Sequence, residues 1–382
     1  MDHNHVNRLG IAPPGRAGGR LRRPVPWLLL LGAPLLLFSL LLISVRSGEV
    51  ARAASRTVCS SGADFTTIQD AVNASSPGDV IQICTGTYAE SVNLATMATE
   101  GDITLVAADG PGTVSIAPPT GPSIYISATV FPGDITIDGL NVTSPDDSAI
   151  LFGPYGSKLV SGVVTIANVV ARDASSHGFD IVTNEGVKIE STHAISNGES
   201  GIYTYLYSGT AEITDTLALS NGLGGIYVDQ GSPGVTGVVN VVIHQSEASD
   251  NGTVGVQAYI QHGSVEIDES MALRNGMLAG PGFQASGFYI DADYSCEFPS
   301  PIVVKNSVAE MNLGYGFYLS SSGDVDVSDS AAHANAYDGF WVRAGCDGIA
   351  SVYDSLANDN WSLGRLQGQR FCRLFQQPHT DR

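Results

Sequence analysis

Nine residues in the second half of this 382-residue chain have the types and spacing to act together: Tyr203, Tyr227, Tyr259, Tyr289, Tyr318 and Trp341, with Asp229, Asp291 and Arg343 beside them. Pyranose rings pack on aromatic planes, and their hydroxyls bond carboxylates and guanidinium groups, so this set suits polysaccharide. The six aromatics would bind the chain. If catalysis is added, Asp229 and Asp291 are the candidate carboxylates, since a glycosidase needs its pair at about 5–9.5 Å, and Arg343 is the Arg that falls on the same face. The enzyme would then be a polysaccharide lyase or a glycoside hydrolase. A different class of reading is a noncatalytic cell-surface or adhesin-like scaffold, in which these aromatics only stack between neighbouring strands.

The spacing comes from a repeat. The stretch from Gly209 to Val228, GTAEITDTLALSNGLGGIYV, returns along the chain from starts at Ile166, Ile189, Ile213, Ile243, Ile267, Val304, Val327 and Val352. Three residues after these starts come Thr192, Thr216, Ser246, Ser270, Ser307, Ser330 and Ser355, with Val169 in the first copy; five after comes an Ala in every copy, from Ala171 to Ala357. Eight after come Asn197, Asn221, Asn251, Asn275, Asn312, Asn335 and Asn360. An Asn at a recurring bend tolerates left-handed backbone and can bond its equivalents above and below. The copies are rich in Val, Ile, Thr and Tyr with period-two alternation, which excludes a helical solenoid. A circuit of about 23 residues holds three short strands and makes a parallel β-helix, here of about ten coils. Alternation then turns Phe179, Ile202, Ile226, Val256, Phe288, Phe317 and Phe340 inward. It turns Asp180, Tyr203, Tyr227, Gln257, Tyr289, Tyr318 and Trp341 outward. Two residues on, Val182, Tyr205, Asp229, Tyr259, Asp291, Ser320 and Arg343 are expected on the same outer face. Insertions lengthen the copies at 231–238 and 280–301 and could roof a groove.

Lys and Arg number 18 against 38 acids, and residues 1–53 hold seven of the Arg, so the body is strongly acidic. That argues against nucleic acid and anionic membrane surfaces as partners, and permits neutral glycans, cationic ligands and divalent metals. Asp215, Glu269, Asp329 and Asp354 recur two residues past a start, with Glu266, Asp268, Asp324 and Asp326 on other coils. Ca²⁺ would suit such oxygen ligands, and solvated surface charge would equally explain them. His177, His193, His244, His262 and His333 fall in different columns and read as surface residues. No Gly-rich phosphate loop runs from a strand into a helix.

The N-terminal region joins Arg16, Arg20, Arg22 and Arg23 to the apolar run 25–45 and then to Ala51-Arg52-Ala53. This makes residues 1–53 a cleavable signal peptide or a retained N-terminal membrane anchor spanning 25–45. Both alternatives export the body, to the medium or to the cell envelope, with membrane contact only through that segment. In an oxidising compartment Cys59 and Cys84 would staple the start of the body, leaving Cys296, Cys346 and Cys372 in late loops or the tail. From Asp64 to Asn73, DFTTIQDAVN puts Ile68, Ala71 and Val72 on one face of a short helix that would cap the first coil.

That helix, the run VIQIC, the phrase GTYAESVNL and IDGLNVT at Ile137–Thr143 together resemble the N-terminal part of pectin-lyase-like right-handed β-helix proteins. The resemblance covers most of 58–360. It implies a right-handed coil and carries no catalytic residue with it: Ser176-His177-Gly178 is only a fragment of a hydrolase Gly-His-Gly motif, and the Asp-Pro-His-Glu of alginate epimerases is absent. The expected organisation is therefore an N-terminal segment 1–53, a monomeric β-helix domain 54–360, and a C-terminal cap and tail 361–382.

Overall fold

The structure, a computed structural model, describes residues 53–97, 99–153, 159–231, 237–279, 282–292 and 295–367. The signal or anchor segment, most of the first insertion and the tail with Cys372 lie outside the described residues. Among the described residues no helix is long and apolar enough to cross a membrane.

One circuit shows how the rest are built. Gly209–Thr214 lies in a first sheet, Leu217–Leu219 in a second and Ile226–Gln230 in a third, and each pairs in parallel with its equivalents one coil before and one coil after. Among the described residues, stacking such circuits gives sheets of twelve, eleven and thirteen strands. About twelve turns result, against the ten expected. The difference lies at the N-terminal end, where four rungs, Ser55–Val58, Asp79–Ile83, Ile103–Ala107 and Ile135–Asp138, precede the eight that hold the repeat starts. These early coils keep the inward apolar alternation but not the Ala and Asn columns by which the repeat is counted. At the other end Ser362–Gln367 pairs with Asp338–Ala344 as a further strand of the third sheet.

The helix Ile68–Ala74 buries Ile68, Ala71 and Val72. Thr67 caps it, its side chain accepting from the Asp70 amide. The Glu90 carboxylate accepts from the amides of Ile68 and Gln69 at 2.8 and 2.9 Å, so two of the four unsatisfied N–H groups at this helix start are bonded by a distant side chain. A Cys59–Cys84 disulfide joins the first coil to the second, and a Cys296–Cys346 disulfide joins two late loops.

Two buried ladders hold the bends. At the first, the Ser246 hydroxyl accepts from the Thr216 amide at 3.3 Å and donates to the His244 carbonyl at 2.9 Å, a pattern that recurs down the Ser column. At the second, the Asn221 side-chain amide donates to the Asn251 carbonyl oxygen at 3.0 Å, and Asn251 to Asn275 at 3.0 Å; Asn251 also donates to the Ala218 carbonyl at 3.1 Å. The left-handed residue is not the Asn but the one before it: Ser196, Ser220, Asp250, Arg274, Met311, Ala334 and Asp359 have φ of 53–57°. The backbone turns there so that the Asn can point inward and bond along the axis. The acidic column is explained in the same way. Asp215, Glu269, Asp329 and Asp354 occupy the left-handed position of the first bend, φ 49° in each, alongside Ser191, Gln245 and Asn306.

The Gly that opens each third-sheet strand is fixed by the Asn ladder. A Cβ on Gly225 would stand 2.7 Å from the Asn251 side-chain nitrogen, 2.7 Å from the Gly255 carbonyl oxygen and 2.8 Å from the Ala248 methyl. No side chain fits there against the Asn and the Ala of the next coil. That Gly sets the register of the aromatic face, which starts two residues later.

Candidate functional site

On the third sheet the register brings Asp180, Tyr203, Tyr227, Gln257, Tyr289, Tyr318 and Trp341 into one column, one rung apart. Their inward neighbours Phe179, Ile202, Ile226, Val256, Phe288, Phe317 and Phe340 are fully buried. The rings form two stacks. Tyr203 and Tyr227 are 5.1 Å apart at 25°, with His177 stacked on the outer side of Tyr203 at 5.1 Å. Tyr289, Tyr318 and Trp341 follow at 4.6 and 4.2 Å, within 6° of parallel. In the second stack each ring covers its neighbour's face and the solvent meets mostly edges, so sugar stacking on every plane of the column is not what this geometry offers.

Between the stacks stands Gln257, and there a cleft of about 480 Å³ opens. Tyr203, Tyr227, Tyr259 and Tyr289 line it; Tyr318 and Trp341 do not. Tyr259 belongs to the second outward column and sits edge-on to both stacks, 6.0 Å and 63° from Tyr227, 5.7 Å and 69° from Tyr289. Tyr259 shares hydrogen bonds with Tyr289 and Gln257. Burial is the first cause that pushes both phenols above the ordinary tyrosine value, so neither is a base near neutrality. Gln284, from the second insertion, also lines the cleft.

The second outward column runs Val182, Tyr205, Asp229, Tyr259, Asp291, Ser320, Arg343. Tyr205 was expected on the outer face and is only 6% exposed; Val182 and Ser320 are buried too. Alternation alone therefore misjudges this column at those rungs. Asp229 and Asp291 are two rungs apart, roughly 9.5 Å at 4.7–4.9 Å per rung, and Tyr259 is the residue between them. Arg343 is two rungs beyond Asp291 and exposed. These three lie beside the cleft and do not line it. Burial raises the Asp229 carboxyl to about 6, against a hydrogen bond from the Gln230 amide that lowers it.

Two groups escaped the sequence reading. His177, taken for a surface residue, is 16% exposed and lines the cleft. Its Nδ1 accepts from the Ser200 amide at 3.1 Å and its Nε2 lies 2.9 Å from Glu199 Oε2, so both ring nitrogens are engaged. Burial holds this imidazole below its ordinary value in spite of Glu199. Asp180 heads the column, 8% exposed, with one carboxyl oxygen bonded to nothing. Burial first, then Asp147 and Glu199, raise it to about 7. Asp180 was visible as the first member of the tyrosine register but was expected to face outward, whereas His177 precedes the paired strand and no register marks it.

Among the described residues no group of three or more His, Cys, Asp or Glu is placed to hold a metal ion. Of the acids proposed for Ca²⁺, Asp215, Glu269, Asp329 and Asp354 are spread along the bend, where Asp215 accepts from Ser191 and Glu269 from Gln245, and Glu266, Asp268 and Asp326 lie on strands.

Residues 122–298 match the family model described as the right handed beta helix region. The chain is a right-handed parallel β-helix protein. No curated protein matches it in sequence. Solved structures similar to this β-helix include pectate lyase Pel9A, at 18% identity over 83% of this chain and 78% of that one, TM-score 0.48. The A-module of Azotobacter vinelandii mannuronan C-5 epimerase AlgE4 is similar at 15% identity over 80% and 92%, TM-score 0.47. An alginate lyase from Paenibacillus sp. str. FPU-7 is similar at 15% identity over 83% and 99%, TM-score 0.45.

Proposed function

We propose that this β-helix is an exported protein that binds polysaccharide on its third-sheet face, at the cleft between the two ring stacks. The observation that carries the reading is the cleft itself: four tyrosines in two orientations with two glutamine amides, apolar surface with a few polar groups that fix orientation. Export is supported by two disulfides, which persist in oxidising compartments, and by the basic and apolar N-terminal sequence.

Cleavage by Asp229 and Asp291 has the separation of an inverting pair, but the Tyr259 ring occupies the rung where the scissile bond would lie. Binding is therefore the function we assign. The scaffold reading keeps one observation in its favour, the mutually covered Tyr289, Tyr318 and Trp341 rings, which serve the coil.

A double Tyr227→Ala and Tyr289→Ala change should weaken polysaccharide binding by more than about tenfold, at least 1.4 kcal/mol, in affinity electrophoresis of the full chain. Trp341→Ala, outside the cleft, should leave binding within about twofold. Equal affinity of the double variant and the parent, with circular dichroism unchanged, would leave the scaffold reading standing.

A further inference from the structure

Building on the glycan-binding reading, we propose that the break in the ring column at Gln257 is a slot for one sugar unit, and that it selects uncharged polysaccharide. Wherever the column is continuous its rings lie nearly parallel within about one rung, as at Tyr289, Tyr318 and Trp341. At the Gln257 rung an amide replaces the ring, and the cleft opens at that place. Tyr227 lies one rung before and Tyr289 one rung after, two rungs or roughly 9.5 Å apart, while Tyr259 stands across both at 63–69°. A flat apolar ring face with polar edges suits those walls, and the Gln257 amide offers both a donor and an acceptor to its hydroxyls.

The charge pattern narrows the class. Among the described residues, no Lys, Arg, Asp or Glu lines the cleft. His177, its one titratable group besides the tyrosines, is held toward the neutral form by burial. Asp229 and Asp291 flank it in the next column, and Glu199 touches His177. At the cleft a polyuronate would meet these carboxylates, with Arg343 two rungs beyond Asp291, whereas an uncharged chain meets no such repulsion.

The experiment uses the full chain and measures affinity for soluble xylan, mannan and β-glucan as uncharged probes and for polygalacturonate and alginate as polyanions. Gln257→Tyr restores a ring to the missing rung. The folded solenoid should be retained, with melting temperature unchanged or raised, and affinity for the uncharged probe should fall by at least about tenfold. Gln257→Leu, one atom shorter and lacking the amide, should lose about three- to tenfold and reports on the slot even if the Tyr variant does not fold. Parental affinity in both variants would overturn the slot, and preference of the parent for the polyanions would overturn the assigned class. Binding of no glycan by the parent would instead defeat the polysaccharide reading on which the slot depends.

Discussion

Replacing Asn251 by Ala is expected to destabilise the solenoid by about 3–5 kcal/mol, among the largest effects a single substitution can have here. The Asn251 carbonyl oxygen accepts from both the backbone and side-chain amides of Asn221, each at 3.0 Å, and its own amide donates to Ala218 and Asn275. Asn251 is fully buried, so no water replaces it. The change strips partners from Asn221 and from the Ala218 carbonyl together, and a buried unpaired group costs about 1–3 kcal/mol. Denaturant titration of the full chain measures this. A loss under about 1 kcal/mol would mean that the ladder is incidental to the coil.

Asp180→Asn is expected to act in the opposite direction and only at high pH. The folded carboxyl titrates at about 7 and the unfolded one near 3.8. The native state therefore holds a proton that the unfolded chain has lost. Stability is complete below about pH 4, declines through the window between the two values, and is lowest above pH 7. At 1.36 kcal/mol per unit the deficit approaches roughly 4 kcal/mol. Asn cannot ionise, so the variant should match the parent at pH 4 and exceed it by about 3–4 kcal/mol at pH 8. Unfolding measured at both values checks it, and parallel pH profiles would show that Asp180 ionises freely in the fold.

Much of this fold was legible because each recurring residue answers a constraint that repeats with every coil. Ala218 fits a narrow bend, Asn221 bonds along the axis, Gly225 admits the next Asn, and Ile226 fills the core. The early coils were undercounted because Ile81, Leu105 and Ile137 keep the inward pattern without those bends. The left-handed residue was placed one position late, since Ser220 and Asn221 are both turn-formers and only the ladder decides which points inward. The aromatic column was visible as spacing, but which rings cover one another depends on torsions that spacing does not carry. Gln257 stood in the column as an exception, yet its meaning appears only when the cleft is seen there. His177 and Asp180 were hidden for a related reason: their burial comes from neighbouring coils that alternation within one strand does not reveal.

Hydroxyl-radical footprinting of the full chain, with and without the uncharged polysaccharide it binds, tests the central claim most directly. The account predicts protection at Tyr227, Tyr259 and Tyr289, which line the cleft, and unchanged reactivity at Trp341, which does not. Protection confined to Trp341 or to the bends carrying Asp215 and Asp329, with those three tyrosines unaffected, would contradict it.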